Sequence, residues 1–405
     1  MARTVNTGAI GSFNTMRDDR HVSEYQGYIF LISLVIFLAV AFLGWVKLQY
    51  GFNFIDEGYH MVESWRLAAG DHFLKDKQTG ALRHFTLINA VIFKLHPDIT
   101  LLGFRQVQFV LTLVALVMLS LSLYRIDRNY WYLPLVFSLF AFTGLDPVGM
   151  ISNLYYHTYP HLFVVLHAGF FVLGIISRGA WARAILFALS GVWLWLMSLS
   201  LLHMSVMIAS PVVVFLVLKK IIPEKGMFCF SDLCLCVAPF IILWGIFLAV
   251  FHALYIQNIM NSLQLILSTP THTAGALVQV NWELIKHMAV TGGFLALFLV
   301  LRVHVNVWVL GACLVVGSLL MFIFIHTSLF GIISPYYNGW FGAPMWFTSF
   351  IVSFLVIFWI IIGKKILRGE AFSNEEVVAV MLAVPSTIMA VVASIFSALG
   401  ALSVL

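Results

Sequence analysis

The sequence predicts an all-α, polytopic transmembrane helix bundle, and three observations carry that expectation. First, 62% of the 405 residues are hydrophobic and only 10% are charged, against about 25% charged in a soluble domain. A soluble fold of this length would bury a core but would still need a polar skin, and the polar residues for one are missing. Second, the apolar residues gather into long runs, many near the roughly 20 residues that an α-helix needs to cross the hydrocarbon layer. Third, lysines and arginines fall at alternate ends of those runs, as the positive-inside rule requires of cytoplasmic loops.

Taken in order, the apolar runs place about eleven spans near 28–48, 100–124, 131–149, 160–177, 183–202, 204–222, 232–256, 289–302, 305–325, 345–363 and 377–402. The eighth is short, and the fifth and sixth nearly fuse at His203. Residues 1–27 are polar and read as a cytoplasmic tail. The run after them is too long for a signal-peptide core and lacks a small-residue cleavage site. The chain is expected to form a single domain over 1–405, with no separate soluble domain and no internal repeat.

With the N-terminus in the cytoplasm, the inside loops hold Arg3, Arg17 and Arg20; Arg125 and Arg128; Arg178 and Arg183; Lys219, Lys220 and Lys225; Arg302; and Lys364, Lys365 and Arg368. Beyond position 105 the outer face keeps only Lys286. Segment 47–105 breaks the rule with Lys47, Arg66, Lys75, Lys77, Arg83, Lys94 and Arg105. A basic outer loop is tolerated where it binds an anion. The net charge of +5 is a matter of topology and does not point to nucleic acid. Cys234 and Cys236 lie two apart, on nearly opposite sides of a helix, and read as buried thiols rather than a metal pair.

The polar outer pieces are 49–99, 257–288 and 326–344, and the first is richest in chemistry. Asp56 and Glu57 follow the first span, where a charge is costly without a task or partner. Residues 57–69 form an amphipathic stretch that Gly70 ends. Met61, Val62, Trp65, Ala68 and Ala69 make its apolar stripe, with Asp56, His60 and Glu63 opposite. Such a helix lies in the interface with its polar face toward a cavity or water. Asp56 reads equally as an N-cap and Glu57 as a complement to the helix dipole. A second apolar stretch, 85–95, stops near Pro97. Arg105, one turn into the second span, needs a partner; it either snorkels to the interface or holds a phosphate with its fork of donors. Later, Tyr156, His157 and His161 crowd the mouth of the fourth span, as substrate contacts or as an aromatic belt. Single histidines such as His167 within spans read as satisfied bundle-core groups.

The Asp56-Glu57 pair, the Trp65-Arg66-Leu67-x-x-Gly70 pattern, the short apolar segment ending near Pro97 and Arg105 together resemble the GT-C glycosyltransferases. The nearest members are those related to protein O-mannosyltransferases and to the bacterial aminoarabinose transferases of lipid A. The resemblance covers roughly residues 28–180. It implies a sugar donor carried on polyprenyl phosphate and a catalytic carboxylate at Asp56, with Glu57 beside it, acting on the acceptor directly or through a divalent metal ion. It also implies that Arg83, and beside it Lys75, holds the lipid phosphate, with Arg105 assisting. His60, Glu63, His84, Tyr156, His157 and His161 then line the substrate. The aminoarabinose transferases carry Glu-Lys-Pro late in this loop, where this chain has Arg83-His84-Phe85. His84 would have to replace the missing carboxylate, so Asp56 and His84 are the metal candidates.

The function implied is inverting transfer of a hexose or pentose to a glycan, lipid or protein acceptor. It would take place at the extracytoplasmic face of a plasma (inner) membrane, within loop 49–99. Two other classes remain open: a multispan transporter or flippase, and a non-catalytic GT-C relative that binds a lipid-linked glycan. The scarcity of carboxylates inside the spans speaks against ion coupling.

Overall fold

The structure, a computed structural model, describes residues 20–49, 56–73, 84–126, 158–221, 228–268, 355–356 and 358–398. Among them every regular element is helical. In chain order they are α1 (Arg20–Lys47), α2 (Asp56–Ala69), α3 (Phe85–Leu95), α4 (Leu101–Ile126), α5 (Thr158–Ile176), α6 (Ala180–Ser200), a 3-10 segment (Leu202–Ile208), α7 (Ala209–Ile221) and α8 (Phe230–Ser268). Two more follow, α9 over 358–367 and α10 (Asn374–Ala398). Four stretches are long and apolar enough to cross a membrane: Leu101–Ile126, Ala180–Ser200, Leu202–Ile221 and Phe230–Asn261. Spans expected at 131–149, 289–302 and 305–325 lie outside the described residues.

Two element boundaries differ from expectation. The fifth and sixth spans are separated at Leu201, a single extended residue (φ −141°, ψ 112°), after which the chain re-enters as the 3-10 segment. The seventh span was expected to give way to a polar loop at 257, yet α8 runs on to Ser268. Polarity rises there, but nothing between 257 and 268 breaks a helix; the first breaker is Pro270, and helices commonly end before such a residue. At about 1.5 Å per residue α8 is roughly 58 Å long, about twice the hydrocarbon thickness.

Helix α6 is the hub, packing mainly on α5 and α8. A Cβ on Gly191 would stand 2.0 Å from the carbonyl oxygen of Cys236, so the α6–α8 crossing exists only because this side chain is absent. Next to it, Ser190 Oγ lies 2.7 Å from His167 Nδ1, and Ser210 Oγ lies 3.5 Å from His167 Nε2. His167 is thus satisfied inside the bundle, as expected, and joins α5, α6 and α7. Aliphatic side chains cover the outside: Val110, Val114, Val117 and Leu121 on α4, and Ile241, Ile242, Ile246 and Val250 on α8, are all exposed. An apolar exterior over a polar-stitched interior is what a lipid surrounding selects.

One end of the bundle is closed by ion pairs. Arg183 Nε donates to Asp232 Oδ1 at 2.8 Å. The same carboxylate accepts from the Cys229 backbone N–H at 2.8 Å, capping α8. Lys365 donates to both Glu376 oxygens at 2.7 Å, and Ser373 and Glu376 form a reciprocal capping box on α10. These basic residues are among those assigned above to cytoplasmic loops.

Candidate functional site

The other end carries α2 and α3. Helix α2 stops at Gly70, whose φ of 122° few other residues tolerate. Gly70 N–H bonds to Leu67 O at 3.3 Å and Asp71 N–H to Arg66 O at 3.0 Å, the paired bonds of a Schellman end. Arg66 Nε meets Asp71 Oδ2 at 2.6 Å across this turn. That arginine, one of the seven basic residues of the segment, is therefore engaged within the loop itself.

The polarity of α2 is inverted relative to a soluble helix. His60, Glu63 and Ser64 are buried, whereas Tyr59, Val62 and Trp65 are exposed. Of the two expected directions for this polar face, cavity or water, the structure takes the inward one. The predicted apolar stripe is divided, however: Val62, Trp65 and Ala69 face outward, while Met61 and Ala68 pack on the core. Inside, His60 Nδ1 lies 3.4 Å from Glu63 Oε2, Ser64 donates to His60 O at 2.7 Å, and the His60 ring stands edge-on to Phe85 at 4.8 Å.

Helix α3 is pinned by its first turn. The His84 backbone N–H donates to Leu199 O, at the end of α6, at 3.0 Å. The His84 side chain is fully buried among rings, with Tyr255 at 5.2 Å, Phe247 at 5.5 Å and Phe73 at 5.6 Å. Further along α3, Asn89 accepts a hydrogen bond from the Tyr159 hydroxyl, tying α3 to α5. Two buried polar groups, His60 with Glu63 and Ser64 and Asn89 with Tyr159, thus lie on either side of Phe85 near the aromatic box around His84.

The remaining sequence candidates divide into three groups. Asp56 and Glu57 open α2, so Asp56 starts the helix rather than preceding it as a cap, and it stands one turn ahead of His60 on the same face. Their side chains lie outside the described residues, as do Lys75, Arg83, Tyr156, His157 and the His161 side chain. Arg105 is buried and donates from Nη1 to Leu48 O at 2.9 Å. The partner it finds is the carbonyl end of α1, where a cation complements the helix dipole. As for metal, no group of three or more His, Cys, Asp or Glu that could hold an ion is found among the described residues.

Sequence reasoning missed Asn89, Tyr159 and Tyr255. Asn89 had a signal, as the one amide in an otherwise apolar α3. Tyr159 was hidden in a run of aromatics, and Tyr255 belonged to a helix thought to be ending.

Fold and site together define a class: an all-helical protein, built from helices able to span a membrane, with buried polar groups and an aromatic box at one end. No family model, curated protein or solved structure matches the chain.

Proposed function

We propose that the protein is an inverting, GT-C-type glycosyltransferase that moves a sugar from a polyprenyl-phosphate donor to a hydroxyl acceptor at the extracytoplasmic face. The observation that carries this reading is the inverted α2: its apolar side faces out to lipid, and its buried polar side continues the face on which Asp56 stands. A surface helix with no task would turn its polar side to water. In this reading the buried polar side lines the site that a lipid-linked donor reaches from the membrane.

In the proposed step the acceptor hydroxyl attacks the anomeric carbon. The new C–O bond forms on the face opposite the breaking bond to phosphate, the hydroxyl proton passes to the Asp56 carboxylate, and polyprenyl phosphate leaves with the electron pair. Arg83 and Lys75 receive the phosphate charge. Arg105, whose Nη1 donates to Leu48 O, assists them from the start of α4. His60 and Glu63 hold the acceptor side of the cavity, and enclosure by α2 and α3 supplies orientation. The eleven-span topology with a cytoplasmic N-terminus belongs to the same proposal and rests on the Lys and Arg distribution.

The test is Asp56→Asn, assayed in membranes with radiolabelled polyprenyl-phosphate sugars. Loss of a general base lowers transfer by about 100-fold or more at unchanged expression. Full retained transfer overturns the catalytic assignment.

A further inference from the structure

Beside these polar groups, α8 builds a second feature. Tyr255 is 3% exposed, and among the described residues its hydroxyl finds no hydrogen-bond partner. The buried indole N–H of Trp195 finds none there either. Both side chains belong to one aromatic cluster with Phe247 and Trp244, which the His84 ring joins. The neighbouring indole shows that pairing is attainable here: Trp244 Nε1 donates to Ser198 Oγ at 2.8 Å. Two orphan donors in one buried cluster need an explanation, because most buried side-chain polar atoms in native interiors are paired.

We infer that the Tyr255–Trp195 cluster is a subsite for a pyranose ring. A sugar offers what the cluster lacks: hydroxyl oxygens to accept from Tyr255 and Trp195, and a C–H face to lie on the partly exposed Trp244 ring. Position agrees with that occupant. Tyr255 lies toward the far end of the apolar stretch Phe230–Asn261, beside His84 at the start of α3. Phe73, at the turn after α2, is a partly exposed wall of the cluster. In the transferase reading this ring is the acceptor's; the inference rests on that reading for the assignment to the acceptor, while pyranose binding is measurable without it.

The experiment uses the full chain in nanodiscs. The probes are the methyl α- and β-pyranosides of glucose, mannose and galactose, followed by tryptophan fluorescence. At least one saturates the wild type, and Tyr255→Phe weakens it about tenfold, the worth of one good hydrogen bond. The Tm of sugar-free Tyr255→Phe is equal to or above that of the wild type, because an unpaired hydroxyl has been removed from a buried site. No binding by the wild type, or equal binding by the variant, overturns the subsite. Should Tyr255→Phe fail to fold, Trp195→Phe is read by the same criteria. Transfer activity separates the two readings. Tyr255-dependent binding without donor consumption overturns the transferase and leaves the subsite, and donor consumption with Tyr255-independent binding does the reverse.

Discussion

Replacing Gly191 with alanine probes the contact on which the bundle turns. The new Cβ would lie 2.0 Å from the Cys236 carbonyl oxygen and 3.0 Å from its carbon, about 1.4 Å inside ordinary contact with the oxygen. The obstruction is backbone, so no rotamer change relieves it and α8 itself must move. Moving α8 displaces Cys236, whose Sγ lies 3.8 Å from Ser190 Oγ, the partner of His167. Overpacking costs about 1–3 kcal/mol; a backbone clash belongs at the upper end, and the helix-propensity gain of alanine returns about 1 kcal/mol. The net expectation is a loss of about 2 kcal/mol. Gly245, also on α8, has nothing within 4 Å of its would-be Cβ, so Gly245→Ala should gain roughly 0.5–1 kcal/mol. The same chemical change at two sites of the α6–α8 region thus differs by about 3 kcal/mol, more than a hundredfold in the unfolding constant. SDS titration in mixed micelles, followed by tryptophan fluorescence, measures both. A Gly191→Ala protein as stable as Gly245→Ala would refute the close crossing.

The remaining expectations use the same titration. Arg183→Ala and Asp232→Ala should each cost about 2–3 kcal/mol, since the side chains are only 21% and 5% exposed. The double variant should lose less than the sum, with a coupling of about 1–2 kcal/mol; simple additivity would show that the pair does not hold α6 to α8. Arg105→Met should cost about 2 kcal/mol, the worth of a charged hydrogen bond to a buried carbonyl. A neutral result would dissociate Arg105 from Leu48.

Much of the local structure was legible in the chain. The end of α2 at Gly70 followed from backbone chemistry, because a residue that adopts positive φ cheaply stops a helix wherever it stands. The limits of α3 followed from an apolar run closed by Pro97. That His60 and Glu63 share one polar face of α2 followed from their helical spacing, while its burial did not. Reading failed where a boundary was judged by polarity alone. Segment 257–268 looked like a loop because it turns polar, yet polar residues without a breaker continue a helix, and that continuation belongs to the same helix that brings Tyr255 to the His84 box.

What the sequence by itself determined is the solvent for which this protein is made: its composition cannot furnish a water-facing surface, and its apolar runs have membrane length. Only the tertiary structure decided what each polar group does. Arg105 called for a partner, and only the fold places the Leu48 carbonyl against it. His84 stood in a loop, and only the packing of α3 beside α8 surrounds its side chain with rings. The physical reason is that helical periodicity reports which side of a helix is polar. The partner across the interface is set by long-range packing, here by a glycine 45 positions from the residue it touches.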